Sequence, residues 1–169
     1  MRRLLLSCFT LVISFTLLLT PADSAGNSSL EKIVKSGKNL AMYWPDFSDY
    51  KVHVEELYAN SNFKPLWFIK GKPTKEAGDI IRILNHAESK GLNAVDYDSE
   101  LLTQSLKKGS GDTSQLDVAL TVAVMRYISD LRVGRVDFKS LSNDFDIPDK
   151  RIQLASFVQK LTTSSHIRQ

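Results

Sequence analysis

Cysteine is nearly missing from this 169-residue sequence: Cys8 is its one thiol. Cys8 sits early in an apolar run, Leu4 to Leu19, that follows Arg2 and Arg3 and gives way to Thr20, Pro21, Ala22, Asp23, Ser24 and Ala25. A basic start, an apolar stretch and small or helix-breaking residues make up an export signal, so residues 1–25 are expected to be a Sec-type signal peptide. Cleavage after Ala22 or after Ser24 suits the small-residue rule, and an uncleaved N-terminal anchor is the alternative. Leu5-Leu6-Ser7-Cys8 reads at first as a lipoprotein box, but a lipid-bearing cysteine follows the apolar run, whereas Cys8 precedes most of it. Without the signal the chain has no thiol, which excludes disulfides, thiolate metal sites and thiol catalysis.

A second long apolar run is also missing: nothing after residue 25 reaches the ~20 residues a spanning helix needs. Charge of one sign is scarce. The formal net charge of +3 falls to +2 when Arg2, Arg3 and Asp23 leave with the signal, too weak and too dispersed for a nucleic-acid partner. There is no alternating strand pattern longer than a few residues and no internal repeat. The roughly 140 remaining residues suit a single core of ordinary size.

What is present is helical periodicity. Residues 26–48, rich in Gly, Ser, Asn and Lys, read as a linker with a short helix around Leu30 to Lys35. Tyr50, Val54, Leu57 and Tyr58 recur at helical spacing, with Asp49 as the expected cap and Asn60 to Asn62 as the end. Phe63, Leu66, Trp67 and Phe68 form an extended aromatic segment, because Pro65 disfavours a helical Lys64. Thr74 is expected to cap a helix whose stripe is Ala77, Ile80, Ile81, Leu84 and Ala87, with Gly91 as its stop. Leu101, Leu102 and Leu106 mark a short helix after Asp98, which gives way to the loop Lys107 to Ser114. The longest element, Ser114 to Val133, is apolar around most of its circumference and belongs at the centre of a bundle. A last helix is expected from Pro148, burying Ile152, Ala155, Val158 and Leu161. The fold class is all-α, an irregular bundle of five or six helices over residues 49–169.

Few side-chain patterns point to chemistry. Ser29-x-x-Lys32 and Ser105-x-x-Lys108 match the serine acyl-transfer motif, but its companion Ser-Asp-Asn and Lys-Thr-Gly elements are missing and chance explains both. Asp96 to Glu100 and Asn143 to Asp149 bunch carboxylates as a calcium loop does, yet neither has the glycine its sharp turn needs; capping of the helices that follow is the simpler account. His53, His86 and His166 lack ligand partners one turn away. Glu55 and Glu56 point to different sides of a helix and form no acid/base dyad. No metal or cofactor is expected. Trp67 and its aromatic neighbours suit either a binding platform or a core. The turn Leu131-Arg132-Val133-Gly134-Arg135 reads as a helix exit, with Gly134 left-handed, Arg132 complementing the helix dipole and Asp130 pairing with an arginine.

Three stretches in this order and spacing, Glu56 to Phe68, Ile83 to Tyr97 and Leu116 to Asp137, resemble the N-terminal scaffold domain of the large periplasmic L,D-transpeptidases. The most specific pieces are Tyr58 with Pro65-Leu66-Trp67, Gly91-Leu92-Asn93 with Asp96-Tyr97, and the Leu131 to Val136 turn. The resemblance runs from about Tyr50 to Leu161. It implies a helical scaffold packed against a catalytic domain that makes peptidoglycan cross-links through a Ser-His-Gly-Cys-x-Arg segment. There a cysteine thiolate attacks the donor peptide and passes the acyl group on.

That segment is not in this sequence; Ser164-Ser165-His166-Ile167-Arg168 is similar to it by coincidence, without the Gly-Cys. The resemblance therefore implies a noncatalytic scaffold portion, with the domain expected to be truncated at its C-terminus. A stand-alone periplasmic adaptor that binds peptidoglycan or a cell-wall enzyme is the alternative. Expected partners are peptidoglycan or a transpeptidase catalytic domain, with self-association through an exposed apolar patch. Trp67, Tyr97, Arg132 and Arg135 are the interaction candidates.

Overall fold

A computed structural model describes residues 23–108, 111–132 and 153–163. They hold six α-helices: α1 Asp23–Ser36, α2 Lys51–Asn60, α3 Lys75–Asn85, α4 Ser99–Lys108, α5 Thr113–Arg132 and α6 Leu154–Thr163. Short 3-10 turns at Ser48–Tyr50, Ala87–Lys90 and Ala94–Tyr97 link them. The expected all-α class holds. Among the described residues no helix is long and apolar enough to cross a membrane.

Helix α5 is the axis of the bundle. It packs against each of the other five α-helices, and every residue from Leu116 to Met125 is buried. A helix surrounded in this way has no solvent face, which is why its sequence is apolar on nearly all sides. Around it, α1 presents Leu30 and Val34, α2 presents Val54, Leu57 and Tyr58, and α3 presents Ala77, Ile80, Ile81 and Leu84. Helix α6 closes the core with Leu154, Ala155 and Val158, while Leu161 is half-buried. Pro148, Ile152, Gly134 and Arg135 lie outside the described residues, as do the Asn143 to Asp149 acids.

Residues 26–48, which composition marks as a linker, contain most of α1 and then a closed loop. The Phe47 amide donates to the Gly37 carbonyl at 2.9 Å and the Asn39 amide to the Pro45 carbonyl at 2.8 Å, so the loop's two ends meet. Asn39 Nδ2 donates to the Gln115 carbonyl of α5 at 2.7 Å, and Met42 and Phe47 enter the core. The polar residues that suggest a linker here satisfy the backbone of a tight loop instead.

Three local expectations change. Asp49 does not cap α2: it lies within the 3-10 turn Ser48–Tyr50, and no side chain caps the helix that follows. The extended aromatic segment ends in a hairpin, β1 Phe68–Ile69 against β2 Lys72–Pro73. Lys70 and Gly71 between the strands have φ of 51° and 76°, the left-handed pair that a tight two-residue hairpin turn requires. Strands of two residues are too short to show alternation in a sequence. Thr74 does cap α3, accepting from the Ala77 amide at 3.1 Å. Gly91 is left-handed at φ 73° but ends the 3-10 turn Ala87–Lys90, since α3 itself stops at Asn85.

Candidate functional site

Two arrangements organise the polar side chains of the core, and both depend on α5. The first centres on Asp117, which is fully buried. Its carboxylate accepts the amides of Leu66 (3.0 Å), Trp67 (2.8 Å) and Phe68 (3.0 Å) and the Tyr58 hydroxyl (2.6 Å). Trp67 Nε1 donates to Thr121 Oγ1 at 2.9 Å, and Thr121 Oγ1 lies 2.8 Å from the Tyr58 hydroxyl. Tyr58 has one proton, and it goes to Asp117, so Thr121 must donate to Tyr58. The chain of donors therefore runs from Trp67 through Thr121 and Tyr58 to Asp117, and ends on an acceptor. Burial pushes the Asp117 carboxyl above its ordinary range, while the donors around it pull the other way. Burial and the Asp117 charge hold the Tyr58 hydroxyl well above the usual tyrosine value, so it stays protonated.

This cluster builds the frame rather than a reactive centre. It fastens the extended segment 66–68 across α5, whose side chain replaces the strand partner that three consecutive amides would otherwise need. Sequence reasoning passed over Asp117. The signal was there: a lone acid inside a helix apolar on every side has to be satisfied by something distant.

The second arrangement lines a groove of about 480 Å³. Trp44 comes from the closed loop and Tyr50 from the turn before α2; Asp96 and Tyr97 come from the Ala94–Tyr97 turn; Arg126, Ser129 and Asp130 project from the last turns of α5. Arg126 holds the groove's shape. Its Nη2 donates to the carbonyls of Trp44 (3.3 Å) and Asp46 (3.0 Å), and its Nη1 faces Asp98 Oδ2 at 3.8 Å. Asp98 Oδ1 accepts the Tyr43 amide at 2.7 Å. Burial raises the Asp98 carboxyl above its ordinary value, with the Tyr43 amide and Arg126 opposing the shift. Asp98 therefore does not cap α4; its carboxylate reaches back to the closed loop, and the residue itself is left-handed at φ 52°.

The four residues singled out from sequence separate. Trp67 is fully buried and its indole N–H is taken by Thr121, so it is a core side chain and not a surface platform. Tyr97 is buried too; its hydroxyl donates to Asp130 at 2.7 Å, and its ring meets Tyr127 edge-on at 5.2 Å. Asp130 thus has a tyrosine hydroxyl among its partners. Arg132 lies in the last turn of α5 with its guanidinium 5.5 Å from the Phe157 ring centre. It borders a smaller apolar cleft of about 250 Å³ between α3, α5 and α6. Arg135 lies outside the described residues. Ser29 and Ser105 sit on α1 and α4, His53 on α2 and His86 just after α3. No group of three His, Asp or Glu side chains among the described residues is placed to hold a metal ion. Glu55 pairs with Lys51 one turn earlier.

The exposed aromatic of the groove is Trp44, 61% exposed, with Tyr43 at 55% beside it. Sequence reasoning gave the segment that carries them no function.

No curated protein and no solved structure matches the chain. A family model described as Scaffold domain matches residues 52–169, which takes in α2 from its second residue, all of α3 to α6 and every residue of the Asp117 cluster. Trp44 and Tyr50 precede the matched span, whereas Arg126, Ser129 and Asp130 lie within it. The chain belongs to the Scaffold-domain family, the scaffold domain of L,D-transpeptidases.

Proposed function

We propose that this chain is the noncatalytic scaffold of a periplasmic L,D-transpeptidase and serves peptidoglycan cross-linking by holding a catalytic domain in place. The family match over residues 52–169 carries this reading. The architecture supports it in physical terms: a helix buried along its length and a carboxylate that locks an extended segment across it make a frame that resists deformation. Export by the signal segment 1–25 delivers the scaffold to the envelope. The chemistry itself belongs to the catalytic domain. The exposed face available to it includes Leu131 and Phe157, which are 47% and 38% exposed beside the apolar cleft.

The test is direct association of the purified chain with a purified L,D-transpeptidase catalytic domain, followed by calorimetry and by cross-linking assays on muropeptides. A saturable complex, with no cross-linked product from the chain alone, is the expected result. No complex, with the chain sedimenting on insoluble peptidoglycan, would replace this reading by that of an envelope adaptor. The exposed Trp44 and Tyr43 beside the groove are the observation that favours the adaptor.

A further inference from the structure

The hairpin that follows Trp67 carries charge that the fold does not use. Residues 64–75 contain Lys64, Lys70, Lys72 and Lys75 and no acid, a charge of +4 against +2 for residues 26–169 as a whole. All four lysines are exposed, and the ion pairs among the described residues involve Lys35, Lys51, Arg82 and Arg126 instead. Edge protection does not account for them, because strands of two residues are too short to template another chain. Lys70 is left-handed at φ 51°, a turn position that suits Asn, Asp or Gly better, so local stability does not account for a lysine there either. Among these lysines stands Ile69, 60% exposed, which faces Lys72 directly across the hairpin. A lone exposed isoleucine says little; an isoleucine flanked by unpaired cations has a defined chemistry.

We propose that the hairpin docks the chain on the surface of an anionic phospholipid bilayer, with Ile69 entering the boundary between headgroups and acyl chains while Lys64, Lys70, Lys72 and Lys75 meet lipid phosphates. The lysines set the partner's sign, since clustered cations are drawn to an anionic surface. Ile69 sets its kind: a soluble polyanion would engage the lysines and leave the isoleucine in water, whereas a bilayer offers hydrocarbon beside its phosphates. Lysine suits this boundary because its methylene stem lies along apolar surface while its ammonium stays among the headgroups. The base of the hairpin is held in place. The Trp67 and Phe68 amides donate to Asp117, and strand alternation puts Phe68 in the core and Ile69 outside. The tip is therefore presented in one conformation, and little ordering entropy opposes docking. The contact needs neither a catalytic domain nor peptidoglycan, so it goes beyond the scaffold role.

The test is cosedimentation with vesicles of phosphatidylcholine alone and of phosphatidylcholine mixed with phosphatidylglycerol. The form left by cleavage after Ala22 is used, because it contains every described element and the apolar run Leu4 to Leu19 would bind vesicles by itself. Near-ultraviolet circular dichroism from the buried Trp67 shows that it and each variant are folded. Binding to the mixed vesicles only, weakening as salt is added, is the expected result. Lys70→Gln and Lys72→Gln should each weaken it about fivefold, and replacement of all four lysines by glutamine should abolish it. Ile69→Ser should weaken it about tenfold and leave its salt dependence unchanged. Lys90→Gln, an exposed lysine of another turn, should have no effect. Equal binding to both kinds of vesicle, or binding that survives loss of all four lysines, overturns the proposal. Binding that needs the lysines but is unchanged in Ile69→Ser overturns it in favour of a polyanion site. Capture of an L,D-transpeptidase catalytic domain by the same lysines, without vesicle binding, overturns it in favour of an acidic protein face.

Discussion

The Tyr58 hydroxyl of α2 lies 2.6 Å from the Asp117 carboxylate of α5, although 59 residues separate them in the chain. This contact joins the helix that precedes the extended segment to the helix beneath it, and the amides of Leu66, Trp67 and Phe68 complete the joint.

Removal of the carboxylate should be among the most damaging single changes to the core. Asp117→Ala leaves three backbone amides and a tyrosine hydroxyl without their acceptor, at a cost of about 3–5 kcal/mol. Thr121→Val keeps the shape and removes one hydroxyl between Trp67 and Tyr58, at a cost of about 1–3 kcal/mol. Urea denaturation of both variants checks the order; a larger loss in Thr121→Val would mean that Asp117 is not the hub.

Asp98 should make stability depend on pH. Burial raises its carboxyl above the ordinary value of 3.8, so on acidification the folded chain takes up this proton before the unfolded chain does. The stabilisation is fully present below the unfolded value and is lost as pH rises through the raised folded value. Wild type should therefore gain stability relative to Asp98→Asn as pH falls from neutral towards that ordinary value. Denaturation curves of the two proteins at several pH values measure the difference, and a difference of the opposite sign would show that Arg126 and the Tyr43 amide outweigh burial.

Arg126→Ala should release the closed loop. It removes the donor to the Trp44 and Asp46 carbonyls and leaves the buried Asp98 without its cation, a loss of about 3 kcal/mol. Arg126→Lys should not restore the loop, because one ammonium cannot reproduce the planar fork that serves both carbonyls and the carboxylate. Hydrogen exchange across residues 39–47 is the measurement. Protection retained in either variant would show that Asn39 and the loop's own bonds suffice.

The two tryptophans should report separately. Trp44 is 61% exposed and Trp67 is 0% exposed, so an aqueous quencher should reach the first and spare the second. Trp44→Phe should leave a blue-shifted, quencher-resistant emission, and Trp67→Phe a red-shifted, quenchable one. Equal quenching of both would contradict the packing of the 66–68 segment.

Much of the bundle was legible from periodicity. The stripes of α2 and α3 and the all-round apolar character of α5 follow from burial of one face or of every face, and burial leaves its mark at fixed spacing along the chain. Thr74 as a cap was legible too, because that bond spans a single turn. The hairpin after Trp67 was not, being only two residues deep. The roles of Asp49 and Asp98 were misjudged because a carboxylate before a helix looks the same whether it caps locally or reaches a distant loop.

By itself the sequence determined the helical class, the central place of α5 and the order of motifs that marks a scaffold domain, since these depend on neighbours within a few turns. The tertiary structure alone decided that Trp67 is a core residue, that Asp117 is the hub, and that Trp44 stands over a groove floored by α5. Each of those depends on groups about 50 to 80 residues apart, and the desolvation that makes such pairings necessary arises only when the chain closes on itself.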